Sequence, residues 1–279
     1  MTSNNAHIDR RTALRTLVVA GVVGVSGCTS EDGPLSGPDP GTDSTGTSDG
    51  PFRKVGVEGT TLVVELAPDS EIDQVNLIQP NGELWGTRGV AAGAEQVSFE
   101  FRAAYMPGEY NVLGLNGEET VVEESLAIQP NLEIQAVGLY RNHPDKPWEE
   151  VYGESDTNRL INGEAFVTIE NTGTGPETVT ELVFSGNVPN PVENPRSNGI
   201  ERTDSAIIPV EKEVDLYSAS FPFGSVSPGG MGCSPDGNHG EFTVTLETAI
   251  KSSPVTKTFD VEYSGSTDLD DCSITITEA

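Results

Sequence analysis

The chain has 279 residues and a formal net charge of −29, with 44 Asp and Glu against 15 Lys and Arg. An acid excess on this scale repels nucleic-acid phosphates and an anionic membrane surface, both of which are recognised through Lys and Arg. No basic patch interrupts it, so no nucleic-acid partner is expected.

The first legible stretch is residues 9–30, DRRTALRTLVVAGVVGVSGCTS. Asp9 to Arg15 is a basic opening, and Thr16 to Gly27 follows as 12 residues without a charge. Spanning a bilayer takes roughly 20 apolar residues. The run is therefore too short to span and has the length of a signal-peptide core. Arg10-Arg11, with Leu14 and Arg15 behind them, resembles the twin-arginine export signal, although Ala13 stands where Phe or Leu is usual. Val25-Ser26-Gly27-Cys28 resembles a lipobox. Together these resemblances imply a signal peptide over residues 1–27 and a lipid on Cys28. Two chains on one cysteine anchor stably where a single chain is marginal, so the expected location is the cell membrane, facing the extracellular side.

Residues 1–27 contribute +2 to the total, which leaves −31 for the remainder, and only five of the basic residues are lysine. An acidic, lysine-poor chain behind a twin-arginine lipoprotein signal resembles a haloarchaeal surface protein. The resemblance implies folding in high salt, where screening within a few Å removes self-repulsion.

Behind Cys28, residues 29–51 hold one large apolar residue, Leu35, among Gly, Pro, Ser, Thr and acids. Such a segment buries too little surface to offset chain entropy. Residues 28–51 are predicted to be a disordered acidic tether. The 228 residues that follow suit two domains.

A first domain is predicted at 52–130, with strands near 60–67, 72–79, 83–87, 95–102, 108–115 and 119–129. Val97, Phe99 and Phe101 alternate with Ser98, Glu100 and Arg102, the period of a strand with one face buried. The stretch MPGEYNVLGLNGEETVVEESLAIQP resembles the last hairpin of extracellular immunoglobulin-like modules, which implies a buried Tyr110. Ile-Gln-Pro-Asn occurs at 78 and at 128, first as a hairpin turn and then as the end of the domain.

A second domain is predicted at 131–279. GEAFVTIENTGTGPETVTELVFSG, residues 163–186, resembles the core of the cell-adhesion-related (CARDB) domain, in which a strand ends in Asn-x-Gly, here Asn171-Thr172-Gly173. The resemblance implies surface display and names no ligand. Phe242, Val244 and Leu246, then Phe259, Val261 and Tyr263, then Cys272, Ile274 and Ile276 repeat the period of two. Turn pairs such as Asn162-Gly163 and Asp236-Gly237 separate the runs. One helical turn is expected around Asp145–Glu150. The fold class is all-β, two tandem immunoglobulin-like β-sandwiches.

Cys233 and Cys272 are an even pair in an exported chain, and a disulfide between them is expected. The competing use is copper, bound by Met231, Cys233, His239 and His143. The order of these residues departs from that of blue-copper proteins, and Cys272 is left without a role. His143 and His239 are expected to face solvent. No nucleophile elbow, zinc motif or phosphate loop occurs, so neither catalysis nor a cofactor is expected. The acid pairs Glu118-Glu119, Glu123-Glu124 and Glu149-Glu150, and Asp268, Asp270 and Asp271, read as solvated surface. Residues 186–205 and 222–240 are long, Pro- and Gly-rich loops expected to form a recognition surface, with 187–199 dispensable to the fold. The function expected is non-catalytic binding or adhesion, with a surface protein or glycan as partner. The alternative is a redox (copper) or solute-handling lipoprotein.

Overall fold

Alternating burial organises the chain from Phe52 onward in the computed structural model, which describes residues 50–102, 104–147, 149–150, 163–191, 197–224, 231–266 and 272–279. Arg10, Arg11, Cys28, the predicted tether up to residue 49, and Asp268, Asp270 and Asp271 lie outside the described residues.

Seven strands build the first sandwich: β1 (Phe52–Glu58), β2 (Thr61–Leu66), β3 (Gln74–Ile78), β4 (Leu84–Gly89), β5 (Gln96–Glu100), β6 (Gly108–Asn116) and β7 (Glu119–Ile128). One sheet has the order β1-β2-β5, the other β4-β3-β6-β7. Their inner faces share a core that includes Leu62, Val64, Val75, Leu77, Phe99 and Val112. The six predicted strands are present, and β1 is a seventh that periodicity missed. In β1 a bulge at Arg53 places two residues between buried Phe52 and buried Val55, which breaks the period of two.

The second sandwich holds β8 (Leu132–Leu139), β9 (Ala165–Asn171), β10 (Glu177–Gly186), β11 (Ala206–Ile208), β12 (Glu213–Tyr217), β13 (Asn238–Thr248), β14 (Val255–Gly265) and β15 (Cys272–Glu278). Its sheets run β8-β9-β12 and β11-β10-β13-β14-β15. The first seven strands are paired as in the first sandwich, and β15 is added beyond β14. Both units therefore put strands one, two and five opposite strands three, six and seven, with the fourth on the edge of the latter sheet. This is an immunoglobulin-like arrangement. The fold is all-β, two tandem sandwiches. A 3-10 turn at Tyr140–Asn142 precedes the expected helical turn, of which Glu149 and Glu150 are helical.

Phenylalanines fill the second core. Phe242 stacks on Phe184 and Phe259 across the sheet, at 6.4 and 5.6 Å, and takes the edge of Phe223 at 5.5 Å. In the first core, Tyr110 is fully buried and its hydroxyl donates to the Met106 carbonyl at 2.8 Å. Burial pushes that hydroxyl up to about 12, so it stays a neutral donor. This back-bond from the sixth strand is the tyrosine corner of immunoglobulin-like folds.

A dense joint connects the sandwiches. Asn171, 0% exposed, satisfies all four of its side-chain hydrogen-bonding positions. Its Oδ1 accepts from the backbone of Asn131 (3.2 Å) and Gly173 (3.0 Å). Its Nδ2 donates to the carbonyls of Gly175 (2.9 Å) and Ile208 (3.1 Å). The loop so fixed lies on the end of the first sandwich, where the Thr174 hydroxyl donates to Ala127 at 2.7 Å and the Tyr105 hydroxyl to Pro176 at 2.9 Å. Gly175 permits that approach, since a Cβ there would stand 2.3 Å from the Tyr105 hydroxyl. Buried Glu177 accepts from the backbone N–H groups of Thr178, Ile250 and Lys251, and Ile250 packs on the first core.

Candidate functional site

The described parts of the two long loops, residues 186–191, 197–205, 222–224 and 231–240, are built into the second sandwich. The Asn190 N–H donates to Pro222 at 3.0 Å, the Ala219 N–H to Gly199 at 2.9 Å, and Ile200 bridges Ser218. Val188, Ile200 and Phe223 from these loops are core residues, each under 5% exposed. The expectation that 187–199 is dispensable is thereby corrected: its removal takes a core side chain and the anchor described next. The proline-rich spacing conceals single apolar residues that point inward.

Cys233 and Cys272 form the expected disulfide, with Cα atoms 5.5 Å apart and a separation of 39 positions in sequence. It fastens the loop before β13 to the head of β15. A sulfur in a disulfide is no thiolate ligand, so the copper reading loses its cysteine. Met231 packs against the core instead.

Beside this disulfide-tied end, the outer face of β13, β14 and β15 forms a groove of about 580 Å³. It is lined by Asn187, His239, Glu241, Asp260, Glu262 and Thr277, all exposed, and by backbone of Gly240 and Val261. Registers set the pattern: Glu241 lies opposite Asp260, His239 opposite Glu262, and Asp260 opposite Thr277. Like charges directly opposed across strands destabilise a sheet. One wall is the loop residue Asn187. Its N–H donates to the Glu241 carbonyl at 2.8 Å, its Oδ1 accepts from the Glu241 N–H at 3.3 Å, and its carbonyl accepts from the Tyr263 hydroxyl at 3.1 Å. Burial pushes the Tyr263 hydroxyl well up, which keeps it a donor. Gly240 makes room, because a Cβ there would stand 2.6 Å from the Asn187 Cβ. Among the described residues, no group of three or more His, Cys, Asp or Glu is placed to hold a metal ion.

His239 faces solvent as expected, whereas His143 does not: it is 6% exposed, edge-on to Phe166 at 4.6 Å. Its Nδ1 accepts from the Asp145 N–H at 3.1 Å, so the neutral ring carries its proton on Nε2 and donates it to Asp215 at 2.8 Å. Asp215 also accepts from the Thr168 hydroxyl at 2.8 Å. With both nitrogens engaged, this histidine has no lone pair left for a substrate proton, and the triad-like set His143, Asp215 and Thr168 works as a polar staple.

No protein-family model matches the chain, and no curated protein matches it. Among solved structures it is similar to a two-domain fibronectin type III segment of chicken tenascin, at 9% identity, TM-score 0.27, over 82% of this chain and 99% of that one. It is also similar to a β-glucuronidase of glycoside hydrolase family 2, at 13% identity and TM-score 0.22, over 75% of this chain. A glycosyl hydrolase family 2 member from Bacteroides cellulosilyticus matches at 18% identity and TM-score 0.21, over 72% of this chain. The chain spans about a fifth to a quarter of the length of these two glycosidases, 20% and 24%. At such TM-scores the likenesses carry no conclusion about activity, and the fold rests on its strand pairing.

Proposed function

We propose that this chain is a lipid-anchored, non-catalytic binding protein displayed outside the cell, in the manner of haloarchaeal twin-arginine lipoproteins. Cys28 holds the membrane, residues 29–51 form the tether, and the second sandwich offers its groove to a surface protein or glycan. The observation that carries this reading is the groove itself. A pinned loop residue, Asn187, and three acids without an ion pair among the described residues share one open sheet face on a rigid scaffold, and the buried histidine nearest to a catalytic set has no free nitrogen. Rigid presentation of polar groups lowers the entropy lost on association.

Two arms test it. Cys28→Ser should abolish partition into the detergent phase, and replacement of Arg10 and Arg11 together by Lys should abolish export. In the second arm, the full chain captures its partner from membranes, and Glu241→Gln/Asp260→Asn/Glu262→Gln should lose that capture while keeping a native circular dichroism spectrum. Normal surface levels of the twin-lysine variant sink the export assignment. Undiminished capture by the folded triple variant removes the groove from the function.

A further inference from the structure

An edge strand presents a row of backbone groups without ladder partners, and proteins blunt such edges with charges, bulges, brevity or cover. Among the described residues, seven of the eight sheet edges carry such a device along the strand, and the eighth is guarded only at its two ends. β1 has Arg53 at its bulge, and β4 bulges at Trp85. The β5 edge is closed by Arg88, whose Nε donates to the Ser98 carbonyl at 2.9 Å. β7 points Glu124 inward between Val122 and Leu126. β8 bulges at Gln135, and Lys257 donates to the Ile134 and Gln135 carbonyls there. β11 is three residues long, and β12 carries Glu213 and Asp215 and leads into the Ile200–Ser218 bridge.

The eighth edge is β15. Ser273-Ile274-Thr275-Ile276-Thr277 has no charge, proline or glycine, and four of its five residues are β-branched; the strand's one charge is its last residue, Glu278, which is paired with Lys257. Its register with β14 is unbroken, and among the described residues β14 is its only strand partner. Arg141 reaches the Cys272 carbonyl at the head of the strand, and the disulfide holds that head in place.

We propose that β15 accepts an additional extended strand from a partner protein, one carrying Lys or Arg at alternate positions. The proposal rests on the binding-protein reading above and supplies its mode and partner chemistry. Charge selects the occupant. Exposed Thr275 and Thr277 stand opposite Glu262 and Asp260, with Glu241 one strand further in. Strands lie about 4.8 Å apart, so a strand added beyond β15 runs about 10 Å from β14. At that spacing its alternate basic side chains meet the Glu262 and Asp260 carboxylates over the threonines. Backbone pairing then supplies affinity and the alternate side chains supply specificity. A second copy of this chain fits worse, since it brings another net −29 and the same acidic face against the first.

The test titrates the ¹⁵N-labelled full chain with the synthetic peptide Lys-Thr-Lys-Val-Lys-Thr-Lys-Val, at the lowest salt that preserves the native circular dichroism spectrum. Amide shifts and slowed hydrogen exchange should concentrate at Ser273–Thr277 and the groove. Asp260→Asn/Glu262→Gln should weaken binding about tenfold, and Thr275→Lys/Thr277→Lys, at exposed positions, should abolish it with the fold intact. A peptide N-methylated at every residue should not bind. The proposal is overturned by any of four results: no binding, equal binding of the N-methylated peptide, equal binding of a peptide with Glu in place of Lys, or concentration-dependent self-association that Thr275→Lys/Thr277→Lys removes. Membrane capture that survives Thr275→Lys/Thr277→Lys also overturns it, while leaving the binding-protein reading standing.

Discussion

Asn171→Ala removes the amide at the joint between the sandwiches. Four hydrogen bonds of 2.9–3.2 Å disappear from a residue with 0% exposure, leaving two N–H groups and two carbonyls to find other partners. A typical intramolecular hydrogen bond contributes about 1 kcal/mol net, and a buried group left unpaired costs about 1–3 kcal/mol. The expected loss is therefore about 4 kcal/mol, a large part of the roughly 5–15 kcal/mol that holds a domain folded. Chemical denaturation reads it as a lower midpoint at unchanged slope. Asn171→Asp sharpens the test. It keeps one acceptor but turns a carboxylate oxygen toward the carbonyls of Gly175 and Ile208. The folded state then favours the protonated acid, so its pKa rises above the unfolded value of about 3.9. Stability held by that proton is present below about pH 4 and is lost as pH rises through the folded pKa. The deficit of Asn171→Asp should thus grow from about pH 4 to pH 7 relative to Asn171→Ala. A loss below about 1 kcal/mol for Asn171→Ala, or a pH-independent gap between the two variants, would refute the reasoning.

Reducing the Cys233–Cys272 disulfide, or Cys272→Ser, should cost about 4 kcal/mol in the chain-entropy model for a loop of this length; thermal melts with and without reductant check it. Gly175→Ala places a methyl 2.3 Å from the Tyr105 hydroxyl and 2.7 Å from Ile128 Cγ2. It should cost about 1–3 kcal/mol and loosen the joint, read as a larger radius of gyration in solution scattering. The melting temperature should climb steeply with KCl over the molar range, because screening relieves an excess of 29 negative charges; a flat response sinks the high-salt reading.

Strands were legible wherever one apolar residue alternated with one polar residue. Phe242, Val244 and Leu246 are buried, as are Phe259, Val261 and Tyr263, because each run keeps the period of two. β1 was not legible, since its bulge shifts the phase between Phe52 and Val55. The disulfide followed from the count of cysteines and the inward phase of Cys272. His143 was misread because local sequence places it in a loop, while its burial comes from Phe166 and Asp215, 23 and 72 residues away. The groove was half visible. The period of two through Phe259, Val261 and Tyr263 leaves Asp260 and Glu262 on the wet face of β14, but only the pairing of β13, β14 and β15 puts Glu241 and Thr277 beside them. Asn187 carries no signal of its own, being one polar residue in a loop, and is set by hydrogen bonds to a strand more than 50 positions on.

The central claim is that the second sandwich meets its partner across the groove and β15. Site-specific photo-crosslinking in living cells tests it most directly, with a photoreactive residue in place of exposed Thr277 and, as control, in place of exposed Leu84 on the first sandwich. The account predicts a discrete adduct of one mass from position 277 and none from position 84. A discrete adduct from position 84 with none from 277 contradicts it, and moves the contact surface to the first sandwich.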